Sequence, residues 1–353
     1  MTAAQANGRS LGSKKENGPP EAEVSSGRMG ADMAAVLAPR FLFPMLPILA
    51  DTLVLFIAAS LTKPMQPLLD VFSARTGVVV ERESGASLEH VRKITELHRV
   101  PDVLLLADAD VFPRYLVPKY VSWYATFARN RMVIAYTARS RRASEINAAN
   151  WISILQQKDV EVGRTDPNLA PVGYRTLLML QLAERFYAKP GLAASLLKNA
   201  PDRNIRPNAA ELAALLAAGE LDYIYDYQSV AESNGFKFIA LPPAIDLGDP
   251  KSGRSYATVS TRIHGSTRGS EETIRGQPIL YGLSVPTGAP HPSAAKQFLS
   301  YLLEPATITA LRAAHVDMLD RPIITGTGAP SEMRRLPVGG KAPRPPRQRG
   351  STH

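Results

Sequence analysis

From residue 52 onward the apolar positions fall into short unbroken runs separated by amphipathic stretches. Thr52–Ile57 is continuous and apolar, the pattern of a strand covered on both faces, and Ala58-Ala59-Ser60 follows as a small-residue turn. Pro64–Phe72 reads as an amphipathic helix, 77–80 as a strand, Glu89–Leu97 as a helix and Asp102–Ala107 as another buried strand. Met132–Tyr136, 160–162, Leu221–Tyr225 and Phe236–Leu241 continue the series of strands, mostly with helical stretches between them. Two strands then come close together, Tyr256–Ile263 and Pro278–Val285, ahead of helices at Ser293–Leu303 and Thr307–Ala314. Alternation of this kind predicts an α/β fold with mostly parallel sheets, and no internal repeat is visible.

The ends of the chain depart from this pattern. Residues 1–32 are polar and aperiodic, and 33–50 place a basic residue, Arg40, before the apolar stretch Phe41–Ala50. Residues 1–50 are therefore expected to be a disordered leader with a signal peptide cleaved near Ala50, since ten apolar residues broken by Pro44 and Pro47 are too few to span a bilayer. Residues 331–353, rich in Pro, Gly and Arg, are expected to be a disordered basic tail. The formal net charge of +9 divides into +1 on the leader and +5 on the tail, which leaves +3 for the body. Mild charge without a stacking motif or basic helix argues against nucleic-acid binding. The chain has no cysteine, so thiolate metal sites, disulfides and a cysteine nucleophile are excluded. Its six histidines include no pair at helical spacing, and no cofactor is implied.

In parallel sheets ligands bind beyond the carboxyl ends of strands, where the next helix offers free backbone N–H groups. Four turns occupy such positions. Ala59-Ser60 and Glu83–Ser87 combine small residues with a serine hydroxyl, a pattern that suits either a helix cap or an oxyanion. Asp166-Pro167-Asn168 has the composition of an Asx turn, and Asp226 ends an aromatic strand, where it either caps Ser229–Ala231 or faces a ligand. Carboxylates near an anion repel it unless the central atom accepts their oxygens, which molybdenum(VI) and tungsten(VI) can do and sulfur or phosphorus cannot.

Several strings along the body resemble the archaeal-type tungstate/molybdate-binding proteins. Among them are Ala59-Ser60-Leu61, Val91–Leu97, Trp123-Tyr124, Asn150-Trp151, Asp166-Pro167-Asn168, Gly173-Tyr174-Arg175, Gly219–Tyr223, Ser229–Ala231 and Tyr281-Gly282, in order from about residue 52 to 325. The resemblance implies a type II periplasmic binding protein with two lobes. Lobe 1 would comprise 51–136 and 246–330 and lobe 2 residues 137–245, with a hinge near Ala135–Ala138 and after Leu241. The protein would be a periplasmic monomer that delivers tungstate or molybdate to an ABC transporter permease, and not an enzyme. By the same resemblance Ala59, Ser60 and Ser87 grip the oxyanion, Asp166 and Asp226 approach its metal, and Tyr174 and Arg175 support them from behind. Asp226 stands where the family has glutamate, and Ala59 and Ala86 where it has glycine, which leaves a four-coordinate, hydrogen-bonded ligand as an alternative to six-coordinate binding. Two other assignments compete: a sulfate- or phosphate-type binder, and a hydrolase using Asp166 and Asp226 as acid and base.

Overall fold

The computed structural model describes residues 51–265 and 269–334. The leader expected at 1–50 and residues 335–353 of the tail lie outside the described residues.

The first part of the body runs β1 (Thr52–Ala58), α1 (Ala59–Thr76), β2 (Val79–Gly85), α2 (Ser87–Thr95), β3 (Val103–Leu106) and β4 (Trp123–Arg129). The middle runs β5 (Met132–Tyr136), α3 (Trp151–Leu155), β6 (Val162–Thr165), α4 (Pro171–Phe186), α5 (Leu192–Lys198), β7 (Ile205–Arg206), α6 (Ala209–Ala218), β8 (Tyr223–Tyr227), α7 (Gln228–Ser233) and β9 (Lys237–Ala240). The last part runs α8 (Gly253–Tyr256), β10 (Ser260–His264), β11 (Glu271–Arg275), β12 (Leu280–Ser284), α9 (Pro292–Leu302), α10 (Pro305–Ala313) and β13 (Asp317–Gly326).

Two larger sheets result, in the orders β13-β4-β12-β3-β1-β2 and β7-β6-β8-β5-β9, and β10 pairs with β11 as a separate ribbon. Both follow one plan. Three parallel strands (β2, β1, β3 and β7, β6, β8) meet an antiparallel strand (β12 or β5) inserted from another part of the chain, and a further strand (β4 or β9) lies beyond it. The sheets are therefore mixed α/β sheets rather than mostly parallel. The expectation followed the strand–helix–strand units and overlooked strands joined without a crossover helix; such strands can enter antiparallel. The continuous apolar run of β1 is explained by its place between β2 and β3, with Leu53, Leu55 and Ile57 fully buried.

Asn130 and Arg131 alone separate β4, in the first sheet, from β5, in the second. The crossing thus lies at these two residues and not at Ala135–Ala138: Ala135 and Tyr136 are already paired with β8 and β9. The sequence pattern marked β5 but not β4, so the two-residue link between them was not seen. The returning chain lies alongside, with Met132 N–H donating to Asp246 O (2.7 Å), Asn130 N–H to Ile279 O (3.2 Å) and Ile279 N–H to Leu247 O (2.8 Å). Gly248 permits the close approach, since a Cβ there would lie 2.7 Å from Arg131 Cβ.

Two smaller differences matter below. Helix α1 begins at Ala59, directly after β1, although Pro64 and Pro67 lie inside it and deprive the carbonyls of Ser60 and Lys63 of their usual donors. At the other end the body continues past residue 330: Ser331–Arg334 form a short 3-10 turn, Met333 is buried, and Glu332 pairs with Lys296 at 3.2 Å. Among the described residues no helix is long and apolar enough to cross a membrane.

Candidate functional site

The ends of β1, β2, β3 and β8 meet the starts of four helices around a small cavity. Ala58, Ala59 and Ser60 line it from the β1–α1 turn, and Gly85, Ala86 and Ser87 from the β2–α2 turn. Ala107, just after β3, completes that side. Opposite are Ala170–Val172 at the start of α4, Asn208 and Ala209 at the start of α6, and Tyr227 at the end of β8. Its volume, measured to the centre of a water-sized sphere, is about 20 Å³, which suits a very small ligand and not a sugar or peptide. Small residues line most of it, so the ligand meets backbone.

The electrostatics follow from the helix starts. The first N–H groups of a helix have no partner within it and carry the positive end of the helix dipole. Neither α1 nor α4 has a side-chain cap or an acidic residue in its first turn, so nothing there offsets that field. Helix α6 begins with Asn208 Oδ1 accepting from Glu211 N at 3.1 Å, the arrangement foreshadowed by Asn208 followed three positions later by Glu211. No carboxylate lines the cavity.

Behind the wall is a layer of fixed donors. Ala107 N–H donates to Ser87 Oγ at 3.0 Å. Arg175 Nη1 donates to Tyr227 Oη at 2.6 Å and to Ala107 O at 2.7 Å. Ser60 Oγ lies 2.9 Å from the hydroxyl of Tyr281. Arg175 is 1% exposed, and its Nη2 is 3.2 Å from Asp108 Oδ1, near enough for an ion pair but not aligned for a hydrogen bond. The Tyr174 hydroxyl donates to Asp108 Oδ2. Burial opposes the charge on Arg175, yet the Asp108 carboxylate holds the guanidinium above its ordinary range. Burial, then Asp108, raises the Tyr174 hydroxyl in the same way.

These contacts join the two sheets, because Asp108 follows β3 while Tyr174 and Arg175 stand in the first turn of α4. Leu88 N–H donates across to Leu169 O (3.1 Å), Arg92 Nη2 to Asn168 O (3.2 Å) and Lys63 Nζ to Asn234 Oδ1 (3.1 Å). The structure is closed over the cavity. Gly173 permits this seating of α4, since a Cβ there would lie 2.6 Å from both C and O of Asp166. Gly173→Ala should therefore destabilise the protein by about 1–3 kcal/mol, read as a lower thermal midpoint, because backbone must move to make room.

Of the residues named from the sequence, Ala59, Ser60 and Ser87 come together on the cavity wall, and Tyr174 and Arg175 lie behind it. Asp166 and Asp226 do not line it. Asp166 is half-buried and its Oδ1 accepts from Asn168 N at 2.8 Å, an Asx turn. Asp226 is fully buried; Oδ1 accepts from Tyr227 N at 2.7 Å, while Oδ2 has no partner among the described residues. The physical reason is strand period: Tyr227 faces the cavity, so its neighbour Asp226 shares the opposite face with Ile224, toward α6. Burial pushes the Asp226 carboxyl up to about 8, partly offset by the Tyr227 N–H. Sequence reasoning missed Tyr227, Asn208, Asp108 and Tyr281; only Asn208 carried a local signal, its helix-start motif.

The family model for bacterial extracellular solute-binding proteins matches residues 53–316. An uncharacterised solute-binding protein of Petrotoga mobilis is 41% identical over 269 residues, 75% of this chain and 84% of that protein. The molybdate/tungstate-binding protein WtpA of Thermococcus kodakarensis is 36% identical over 312 residues, covering 81% of this chain and 87% of the relative. Among solved structures, the periplasmic molybdate-binding protein of Azotobacter vinelandii superposes with a TM-score of 0.54 at 17% identity, over 75% of this chain and 98% of its own. The sulfate-binding protein SubI of Mycobacterium tuberculosis gives 0.52 at 13% identity, over 76% and 88%. At such identities these two show the fold alone, that of two-lobed binding proteins. Among the described residues there is no group of three or more His, Asp or Glu side chains that could hold a metal ion.

Proposed function

The chain belongs to the bacterial extracellular solute-binding protein family, a binding protein and not an enzyme, and we propose that its cargo is a tungstate or molybdate oxyanion carried to an ABC transporter permease. A periplasmic location for the mature body, working as a monomer, goes with that reading.

The observation that carries it is the polarity of the cavity wall. Ser87 and Tyr227 each already accept from a fixed donor behind them, so their hydroxyl hydrogens are left for the cavity. The starts of α1 and α4, which carry no side-chain cap, add backbone N–H groups. A wall that presents donors suits a fully deprotonated tetrahedral oxyanion. A protonated one, such as hydrogen phosphate, brings a hydrogen for which the wall has no carboxylate acceptor. Ala59, Ser60 and Ser87 make the first contacts in this reading, joined by Tyr227. Asp166 and Asp226 stand outside the cavity, which favours four-coordinate binding by hydrogen bonds; carboxylate contact with the central atom would require the ends of β6 and β8 to shift.

A second cavity of about 210 Å³ adjoins the first between α1 and the α6–α7 pair and shares Ala59 and Ser60 with it. Lys63 is the charged residue on its wall, so this side offers an anion an attractive approach.

Calorimetric titration of the protein with tungstate, molybdate, sulfate and phosphate at equal ionic strength tests the proposal. Tungstate and molybdate should bind tightly and phosphate weakly, with Ser87→Ala lowering tungstate affinity about tenfold. Sulfate binding as tight as molybdate's would move the assignment to a sulfate-type binder, and heat from no oxyanion would refute it.

A further inference from the structure

A buried chain of side chains runs from the crossing between the sheets to the cavity. Asn130 occupies the two-residue link between β4 and β5, Tyr281 lies on β12, Ser229 on α7 of the second sheet, and Ser60 on the cavity wall; none is more than 7% exposed. Asn130 Nδ2 donates to Ser229 Oγ at 2.7 Å and to Tyr281 Oη at 2.9 Å. Tyr281 Oη is in turn 2.9 Å from Ser60 Oγ.

The direction of the bonds made by Asn130 can be worked out. Asn130 Oδ1 accepts from Arg131 N at 2.9 Å and Ser229 N at 3.4 Å. Backbone N–H groups only donate, so the amide oxygen must face them and the amide nitrogen must face the two hydroxyls. The nitrogen also only donates, so Tyr281 accepts from it and keeps its own hydrogen for Ser60 or for Ser229, whose hydroxyl also neighbours it. Where Tyr281 donates to Ser60, the Ser60 hydrogen is left for the cavity.

We infer that Asn130 and Tyr281 are positioning residues for the bound anion, which direct the Ser60 hydrogen into the cavity and tie its orientation to the crossing between the lobes. The inference rests on the oxyanion reading above and adds to it a source of selectivity. With its hydrogen directed at the cavity, Ser60 presents a third hydroxyl donor to the anion, beside Ser87 and Tyr227. The same Asn130 amide holds Ser229 of the second lobe, so the polarity at Ser60 depends on the two lobes meeting as they do here.

A double-mutant cycle tests it, with tungstate titrated into the full chain, Tyr281→Phe, Ser60→Ala and the double variant. Tyr281→Phe should lower tungstate affinity about fivefold to tenfold in the wild-type background and less than twofold when Ser60 is already alanine. An equal loss in both backgrounds would mean that Tyr281 acts by packing, and no loss in either that it does not act on the ligand; each overturns the inference while leaving the oxyanion reading intact. Asn130→Asp gives an independent check, because it keeps the acceptor for the two amides and removes the donor. Tyr281 would then turn to the new carboxylate and Ser60 to Tyr281, so the loss should at least match that of Ser60→Ala. Tungstate binding within twofold of wild type would overturn the inference. Absence of oxyanion binding to the wild-type chain would remove the functional reading and this inference together.

Discussion

Arg175→Met should cost about 3–5 kcal/mol of stability and weaken anion binding, because it leaves a buried charge without its partner. Asp108 is 4% exposed, and in the variant its carboxylate would keep the Tyr174 hydroxyl and the Asp110 N–H (3.0 Å) but lose the guanidinium. At roughly 2–4 °C per kcal/mol for a large domain, the thermal midpoint should fall by on the order of 10 °C. Binding should suffer for a separate reason. Tyr227 would lose the donor that directs its hydrogen into the cavity, and Ala107 O would lose its partner. The double variant Asp108→Leu/Arg175→Met separates the two effects. Removing both charges should recover much of the lost stability, since the stranded carboxylate is gone, while affinity for tungstate stays low. Thermal unfolding with and without tungstate reads both quantities. Recovery of affinity together with stability would mean that Arg175 serves only the ion pair.

Asp226→Asn should change how stability depends on pH. In the folded protein burial pushes this carboxyl up to about 8, against an ordinary value of 3.8. Between those values the folded state keeps the proton and the unfolded state does not. Unfolding releases it, and raising the pH favours unfolding. The stability that Asp226 contributes is fully present below pH 4 and is lost as pH rises toward 8, at about 1.4 kcal/mol per unit. His90 has the opposite sense: burial lowers its imidazole to about 4, with the Ile57 carbonyl opposing, so it removes stability as pH falls from 6.5 toward 4. It is present in both proteins and cancels in their difference. Urea unfolding of ligand-free wild type and variant should therefore show an advantage of the variant that grows steadily from pH 5 to pH 8. Parallel profiles would show that Asp226 ionises in the fold as it does in water.

Residues were legible to the extent that their roles are local. Thr52–Ile57 announced a buried strand because a strand covered on both faces has to be apolar throughout. Ser60 and Ser87 were singled out because small residues after a strand mark a place where backbone can approach a ligand, and both line the cavity. At Asp226 the local pattern left two readings open, a helix cap or a ligand contact, and the side chain lies off the cavity wall. Alternation along β8 sends Tyr227 to the cavity and Asp226 to the other face, and the register that settles this comes from pairing with β5, where Asp226 stands opposite Val133. The crossing at Asn130 was displaced to Ala135 because the strand ahead of it, Trp123–Arg129, was not read from the sequence, so the short link that follows it went unseen. The common plan of the two sheets was likewise invisible, since the inserted strands β5 and β12 come from other parts of the chain.

The amino-acid order by itself determined the α/β class, the small-residue turns and the serines that face the cavity. Each of these depends on which residues are neighbours along the chain, and burial of apolar runs leaves little choice. The tertiary structure alone decided which groups back those serines and which carboxylates lie off the cavity wall. Asp108 and Arg175, Ser60 and Tyr281, and Asn130 and Ser229 are far apart in sequence. They meet only when two sheets close on each other, and only then does the Ser60 hydroxyl gain the neighbour that can orient it.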